Sequence, residues 1–269
     1  MNSKNLPHVL LVNDDGIRAS GLRSLYKALK GKVSLTVVAP LHQKSGSGLG
    51  TTLTKPLQIM SDTYFDGSTV YAVNGTPSDC VKLGLISLFP EKKPDFILSG
   101  INHGSNAGKT VLYSGTIGGV IEGMFRNEIP GIAFSSCDYD ALSYEDFEPY
   151  IYPIFRYALE HPAPKGSFLN VNFPKKSTFP IQGIRLTKQG KGFWTDDHDR
   201  RIHPEGNPYY WLGGIWKDYE EDPESDVHAL QQGFISVAPI HVEDLTDYEH
   251  HAQQQEAFNG YFGKERLGW

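Results

Sequence analysis

Cysteine is scarce in this sequence: Cys80 and Cys137 are the only two in 269 residues, and both sit in apolar surroundings. That excludes a disulfide-stapled scaffold and leads us to expect buried free thiols in a reducing compartment. Long hydrophobic runs are also missing. The first apolar stretch, Val9 to Val12, is far too short for a signal peptide, and no segment approaches the roughly 20 apolar residues of a membrane span. A soluble, cytoplasmic protein with no membrane partner is therefore expected. Positive charge is not in surplus either, since the formal net charge is −6. Polymeric nucleic acid is bound through Lys and Arg against phosphates, so a nucleic-acid-coating surface is excluded, whereas a small phosphorylated ligand held beside a metal ion is not. A Walker A loop is absent as well. Gly108-Lys109-Thr110 matches only its end, and His103 stands where the motif requires glycine. Neither internal repeats nor low-complexity linkers occur.

What is present reads as globular. Hydrophobic residues make up 39% and aromatics 12%, and the length suffices for a sizeable core. The chain is organised around residues 97–123. Phe96-Ile97-Leu98 is a short buried strand, a loop dense in Gly, Asn and Ser follows, and a small-residue helix opens near Ser114. Glycines let a backbone approach a ligand closely, and a helix N-terminus offers unpaired N–H groups with a partial positive charge.

Around that segment the elements alternate. Val9-Leu10-Leu11-Val12 is a continuous apolar strand. Leu22, Leu25, Tyr26 and Leu29 recur at helical spacing, Gly31 closes that helix, and Val33 to Ala39 is the next strand. A strand, helix and strand so tightly joined form a right-handed parallel unit. Residues 49–73 read as β structure at Leu53-Thr54, Leu57 to Met60 and Val70 to Val73, with a turn at Asp66-Gly67. Thr76 suits an N-cap, Pro77 the first helical position and Asp79 the partner of a capping box, ahead of Cys80, Val81, Leu85 and Leu88 on a buried helix face. A strand at 131–135, a helix at about 146–160 kinked by Pro153, and a strand from Phe168 to Phe173 follow. Residues 188–226 are polar, charged and aromatic, with Tyr209-Tyr210-Trp211 and Trp216. They read as an arm that packs against another subunit or, equally, as a long loop folded back on its own domain. Gly233 to Ile240 is a last strand, and a polar tail from His250 onward suits a surface helix. The expected fold is α/β, a Rossmann-like doubly wound, mostly parallel sheet. Residues 1–180 would form the core with the ligand site, and 181–269 a C-terminal extension with an extended arm.

Ligands of open parallel sheets bind beyond the carboxyl ends of the strands. Asp14 and Asp15 follow the first strand, Ser45 the second, and Asn102 the strand at 95–98. Two adjacent carboxylates repel unless positive charge lies beside them, and an oxygen set of carboxylate, hydroxyl and amide suits Mg²⁺, Mn²⁺ or Ca²⁺ rather than Zn²⁺. Asp14 or Asp15 would alternatively cap the following helix; with Ser45 and Asn102 on the same edge, a divalent-cation site is the stronger expectation.

The ordered set Asn13-Asp14-Asp15-Gly16-Ile17 with Gly21-Leu22, Ser45-Gly46, Gly75-Thr76-Pro77 with Asp79-Cys80-Val81, Ser99-Gly100-Ile101-Asn102 with Gly104 and Asn106, and Tyr113-Ser114-Gly115-Thr116 with Glu122-Gly123 resembles the SurE family. These are the stationary-phase survival phosphatases, also called 5′/3′-nucleotidases. The match runs through residues 9–123, and Tyr209 to Gly214 and the strand near Gly233 look similar too. The resemblance implies a metal-dependent phosphomonoesterase of nucleoside 5′- and 3′-monophosphates. It implies Asp14, Asp15, Ser45 and Asn102 as ligands of Mg²⁺ or Mn²⁺, Asn106, Ser114, Gly115 and Thr116 as phosphate contacts, and a homodimer or homotetramer built partly through the arm. Three departures stand out: Lys44 where Gln is usual, Ala238 in place of a frequent Thr, and Lys109 in the phosphate loop. Lys109 would add attraction for short polyphosphates or remain a solvated side chain.

On this reading Asp15 orients or deprotonates the attacking water, and Asn106, Ser114 and the N–H groups at 115–116 steady the phosphoryl charge. His103 would assist the leaving group or serve a structural role. Glu122 would reach back to the site or satisfy loop N–H groups. The competing class is a non-catalytic nucleotide- or phosphate-binding module, which has little use for paired carboxylates. An aspartyl-phosphate enzyme would carry a D-x-D pattern, whereas here the carboxylates are adjacent.

Overall fold

A computed structural model of the chain describes residues 6–139, 143–217 and 219–262. Eleven strands and six helices are found among them. The first strand, β1 (His8–Val12), lies near the middle of the main sheet, and both its faces are covered: Val9 and Leu11 join one core cluster, Leu10 and Val12 another. This is why its apolar residues run continuously instead of alternating. Helix α1 (Ser20–Leu29) buries Leu22, Leu25, Tyr26 and Leu29, and Gly31 follows it at φ +78°. Strand β2 (Ser34–Pro40) then pairs parallel with β1.

The edge hairpin is shorter than expected. Strands β3 (Ile59–Thr63) and β4 (Thr69–Val73) pair antiparallel about the Asp66-Gly67 turn, but Leu53-Thr54 and Leu57-Gln58 are not strand. Pro56 interrupts any ladder there. The segment is tied down instead by side chains: the Thr52 N–H and hydroxyl donate to the Asp79 carboxylate at 2.9 and 2.7 Å, and the Gln58 N–H donates to Asn74 Oδ1 at 2.8 Å. Asp79 also completes the expected capping box with Thr76 at the start of α2 (Pro77–Ser87).

Strand β5 (Phe96–His103) continues well past Leu98, through residues expected in a loop. Ser99 to Asn102 are buried, and the strand keeps pairing with β6 (Gly131–Ser136), with a register shift between Ser99 and Asn102. Helix α3 (Gly115–Asn127) lies between these strands in the chain. Helix α4 (Glu148–Glu160) runs through Pro153, and β7 (Ser167–Phe173) follows. The remaining elements are β8 (Gly183–Leu186), β9 (Phe193–Ile202), β10 (Pro208–Lys217), α5 (Asp226–Gln231), β11 (Phe234–His241) and α6 (Tyr248–Tyr261). β8 and α5 had no counterpart in the sequence reading.

The nine-stranded sheet has the order β3-β4-β2-β1-β5-β6-β7-β11-β8. All pairings are parallel except β3–β4 and β7–β11. β9 and β10 pair only with each other, in register from Phe193–Lys217 to Ile202–Pro208, so residues 188–226 hold a hairpin rather than an irregular loop. The chain leaves β1 toward β2 on one side and later returns to place β5 on the other. The switch point of the winding is therefore the crevice at the carboxyl ends of β1 and β5. Both Cys80 and Cys137 are buried free thiols. No described helix is long and apolar enough to cross a membrane.

Helix α1 approaches β5 closely at Gly21, where an added Cβ would stand 1.9 Å from the Ile101 carbonyl oxygen. Gly21→Ala must push α1 away from β5, one residue before Asn102. Overpacking of this kind costs about 1–3 kcal/mol, to be read as a lower urea midpoint with an unchanged slope. A midpoint equal to that of the parent protein would show that α1 docks less tightly than described.

Candidate active site at the switch point of the sheet

The crevice between β1 and β5 gathers four separate segments. Asn13 ends β1 with a local clamp, its side-chain amide donating to the Gly16 carbonyl at 3.0 Å and its Oδ1 accepting the Gly16 N–H at 3.2 Å. This turns Asp14 and Asp15 out from the strand end. The Lys44 N–H donates to the Asp14 carbonyl at 2.7 Å and so brings the loop after β2 alongside. The His103 N–H donates to Asp15 Oδ2 at 2.9 Å and brings the end of β5. The Thr116 hydroxyl donates to Asp14 Oδ1 and brings the first turn of α3.

The two carboxylates differ in setting. Asp14 is 3% exposed, and burial, helped by the charge of Asp15 and opposed by the Thr116 hydrogen bond, raises its pKa to about 6. Asp15 is partly exposed. Burial raises its pKa too, against the His103 N–H that favours the charged form. Gly115 packs against Asp14 and Ser47: a Cβ there would come within 2.6 Å of Ser47 Oγ and 3.0 Å of Asp14 Oδ2. Only glycine permits this close approach at the N-terminus of α3. Ser114 caps that helix, its Oγ accepting the Ile117 N–H at 3.2 Å, while the N–H groups of the first turn point outward as in any helix start.

Ser45 is exposed, and its Oγ accepts from Gln43 Nε2 at 2.9 Å. Asn102 is buried, with its Nδ2 donating to the Gly104 carbonyl at 2.7 Å, which directs the amide. The register shift in β5 before Asn102 is the kind of irregularity that re-aims a side chain. Among the described residues no three His, Cys, Asp or Glu side chains cluster as metal ligands. A cation here would rest on two carboxylates plus hydroxyl, amide and water oxygens, the donor set of Mg²⁺ or Mn²⁺. The buried Ser47 Oγ, which has no hydrogen-bond partner, is a further oxygen beside Asp14.

Asn106 lies on the loop after β5, held by groups the sequence reading passed over. Its N–H donates to Asn172 Oδ1 at 2.8 Å, its carbonyl accepts from Asn170 Nδ2 at 2.9 Å, and its side chain donates to Ser135 Oγ at 2.8 Å. The signal was available: Asn170 and Asn172 alternate within the otherwise apolar Phe168 to Phe173 and are fully buried. Glu122 neither reaches the site nor binds loop N–H groups; it pairs with Arg126 at 2.7 Å and Lys82 at 3.6 Å. The His103 ring shares a 3.1 Å hydrogen bond with the Tyr144 hydroxyl. Lys109 stands over the Phe193 ring, 5.2 Å from its centre.

A Rossmann-like sheet whose switch point sets two carboxylates beside a glycine at a helix N-terminus defines a class of open α/β protein with its ligand crevice at the carboxyl edge of the strands. Within that class the relation is specific: the model of the Survival protein SurE family matches residues 9–196, and this chain belongs to that family. The 5′-nucleotidase SurE of Protochlamydia amoebophila is 44% identical over 97% of this chain and 99% of its own length. The 5′-nucleotidase SurE of Flavobacterium psychrophilum is 39% identical, with 92% and 95% covered. The crystal structure of the SurE protein from Aquifex aeolicus superimposes with a TM-score of 0.78 at 36% identity, covering 94% of this chain and all of that one.

The raised pKa of Asp14 has a sign. Between the unfolded value of 3.8 and about 6, the folded protein binds the extra proton, so stability falls as pH rises through that window and stays lower above it. With metal removed by chelator, Asp14→Asn should match the parent protein near pH 3.5 and exceed it by up to about 3 kcal/mol above pH 7. Denaturant melts across pH test this; two curves that run parallel would mean that Asp14 carries no buried-charge penalty.

Proposed function

We propose that this protein is a phosphomonoesterase that hydrolyses nucleoside 5′- and 3′-monophosphates to nucleoside and phosphate, with a divalent cation, Mg²⁺ or Mn²⁺, as cofactor. The observation that carries the reading is the buried Asp14 carboxylate packed directly against Gly115 at the N-terminus of α3. A phosphate seated on the helix N-terminus would otherwise meet uncompensated negative charge, and a binder without a cation gains nothing from that arrangement. The names of the relatives support the same reading.

Asp14, Asp15, Ser45 and Asn102 are the residues that would hold the cation, and when bound it supplies positive charge to a phosphate oxygen and acidifies a water. The chain's own groups do the rest. The N–H groups of Gly115 and Thr116, aligned with the α3 dipole, donate to the equatorial phosphate oxygens. Ser114 and Asn106 add side-chain donors from either side of the turn at residues 108–113. Asp15, the more exposed carboxylate, orients the attacking water and takes its proton, while Asp14 stays locked to Thr116. Inversion at phosphorus then expels the ester oxygen in line.

The arm hairpin exposes Tyr210, Trp211, Leu212 and Ile215, an apolar surface that suits packing against a second copy in a homodimer or homotetramer. Short polyphosphates are a further substrate class to which Lys109 would contribute.

Phosphate release from AMP should require added Mn²⁺ or Mg²⁺, vanish with EDTA, and fall at least about 10³-fold in Asp14→Asn with the circular-dichroism spectrum preserved. Tight AMP binding without turnover under every divalent cation would instead establish the binding-module alternative. A panel of 5′- and 3′-nucleotides and short polyphosphates fixes the preference.

A further inference from the structure

The stretch that presents Ser45 is held by hydrogen bonds rather than by packing. Between β2 and β3, residues 41–58 form neither helix nor strand, and structureless connections of that length inside compact domains are usually functional. Leu49 and Leu53 are both exposed, so neither anchors the stretch by burial. Its near end is tied by the Lys44 N–H to the Asp14 carbonyl, one residue before Ser45. Further on, the Gly48 N–H donates to the Tyr113 carbonyl at 3.0 Å. An added Cβ at Gly118 would stand 2.2 Å from the Gly48 carbonyl oxygen, so the first turn of α3 backs the loop directly.

The far end is tied to the start of α2, chiefly by one carboxylate. Asp79 is 1% exposed. Its Oδ1 accepts the Thr52 N–H at 2.9 Å, and its Oδ2 accepts the Thr52 hydroxyl at 2.7 Å and the Thr76 N–H at 2.9 Å. A capping box uses only the last of these. The other two reach back across the chain to the Ser45 stretch. The Thr76 hydroxyl adds a further tie, donating to the Gly50 carbonyl at 2.6 Å while it accepts the Asp79 N–H at 3.1 Å. Burial works against the charge of Asp79, but the Thr52 and Thr76 donors outweigh it and hold its pKa below the ordinary value. The carboxylate therefore stays ionised, and the bonds it accepts are of the stronger, charge-assisted kind.

We propose that Asp79 is a positioning residue for the cation site: by holding Thr52, it fixes the stretch that presents Ser45 and Ser47 beside Asp14. The assignment rests on the cation reading above. Asp79 does not itself belong to the donor set; it acts through the loop. The role accounts for the two donors that capping leaves over, and for a loop that stays in place although its leucines point to solvent. Ser45 then lies between two fixed ends, the Asp14 carbonyl on one side and α2 on the other.

The test separates the cap from the tether. Thr52→Val removes one donor from Asp79 and leaves the capping box intact, whereas Asp79→Asn disturbs both. Mn²⁺ alone is titrated into the chelator-treated full chain and followed by loss of the free-ion electron paramagnetic resonance signal. It should bind about tenfold more weakly in Asp79→Asn, and more weakly in Thr52→Val as well. Amide hydrogen exchange gives a readout without metal: the N–H groups of Gly48, Gly50 and Thr52 should exchange faster in Thr52→Val, while those of α2 keep the parent rates. Parent-like Mn²⁺ affinity and parent-like exchange in Thr52→Val would reduce Asp79 to a helix cap and overturn the proposal, whatever becomes of Asp79→Asn. If the parent protein itself takes up no Mn²⁺, the cation reading fails and the positioning role with it; uptake by the parent with unaltered variants overturns the positioning role alone.

Discussion

Two adjacent carboxylates at the end of a central parallel strand are the constraint around which the site is built. Burying Asp14 in low dielectric beside Asp15 disfavours its charge, and among the described residues no positive charge forms an ion pair with it. The fold answers with dipoles: a hydroxyl from Thr116, the start of α3, and the His103 N–H on Asp15. Each is weaker than a full counter-charge. A pair so held is left short of compensation, the electrostatic condition under which a divalent cation binds with gain rather than at a loss. The same condition explains why no lysine or arginine does the work. A permanent cation in that position would neutralise the pair and remove the affinity for metal.

Holding the phosphate side rigid needs a different device. The loop after β5 carries backbone groups that must be satisfied without a regular ladder. Asn170 and Asn172 provide this from β7, one accepting from and one donating to the backbone of Asn106, and they bond each other at 3.2 Å. With Ser135 they make a buried polar network in which each amide has a partner. Such a network specifies one loop conformation more sharply than apolar packing would.

Much of this architecture was legible in the residues themselves. The continuous apolar run of β1, the spacing of α1, the Thr76–Asp79 capping box and the polar groups at strand ends all follow from local rules, and they mark the α/β winding and its switch edge. What could not be read depends on partners distant in sequence. Ser99 to His103 looks like loop because it is small and polar, yet β6 pairs with it and extends the strand. Leu53 and Leu57 look like strand because they are apolar, yet no neighbour offers a free edge beyond Ile59. Asn170 and Asn172 read as ordinary alternation until the loop they support is in view. The aromatic segment 188–226 was ambiguous because its hairpin pairs only with itself, so no core pattern marked it.

The hairpin base and the catalytic loop are one unit, and Asp226 is the reason. Its two carboxylate oxygens accept the Gly108 N–H at 3.0 Å and the Gly190 N–H at 2.8 Å, joining the turn before α3 to the segment leading into β9. Burial raises its pKa while these N–H donors favour its charged form, so the hydrogen bonds recover only part of the desolvation cost. A buried carboxylate held on such terms is worth keeping where position matters more than stability. Here it sets the distance between the helix N-terminus and the tryptophans of the hairpin. Moving the base of the arm therefore means moving Gly108 as well, and with it the loop that presents Asn106 and Ser114. The arm cannot be regarded as a separate appendage, because its root is hydrogen-bonded to the segment that precedes α3.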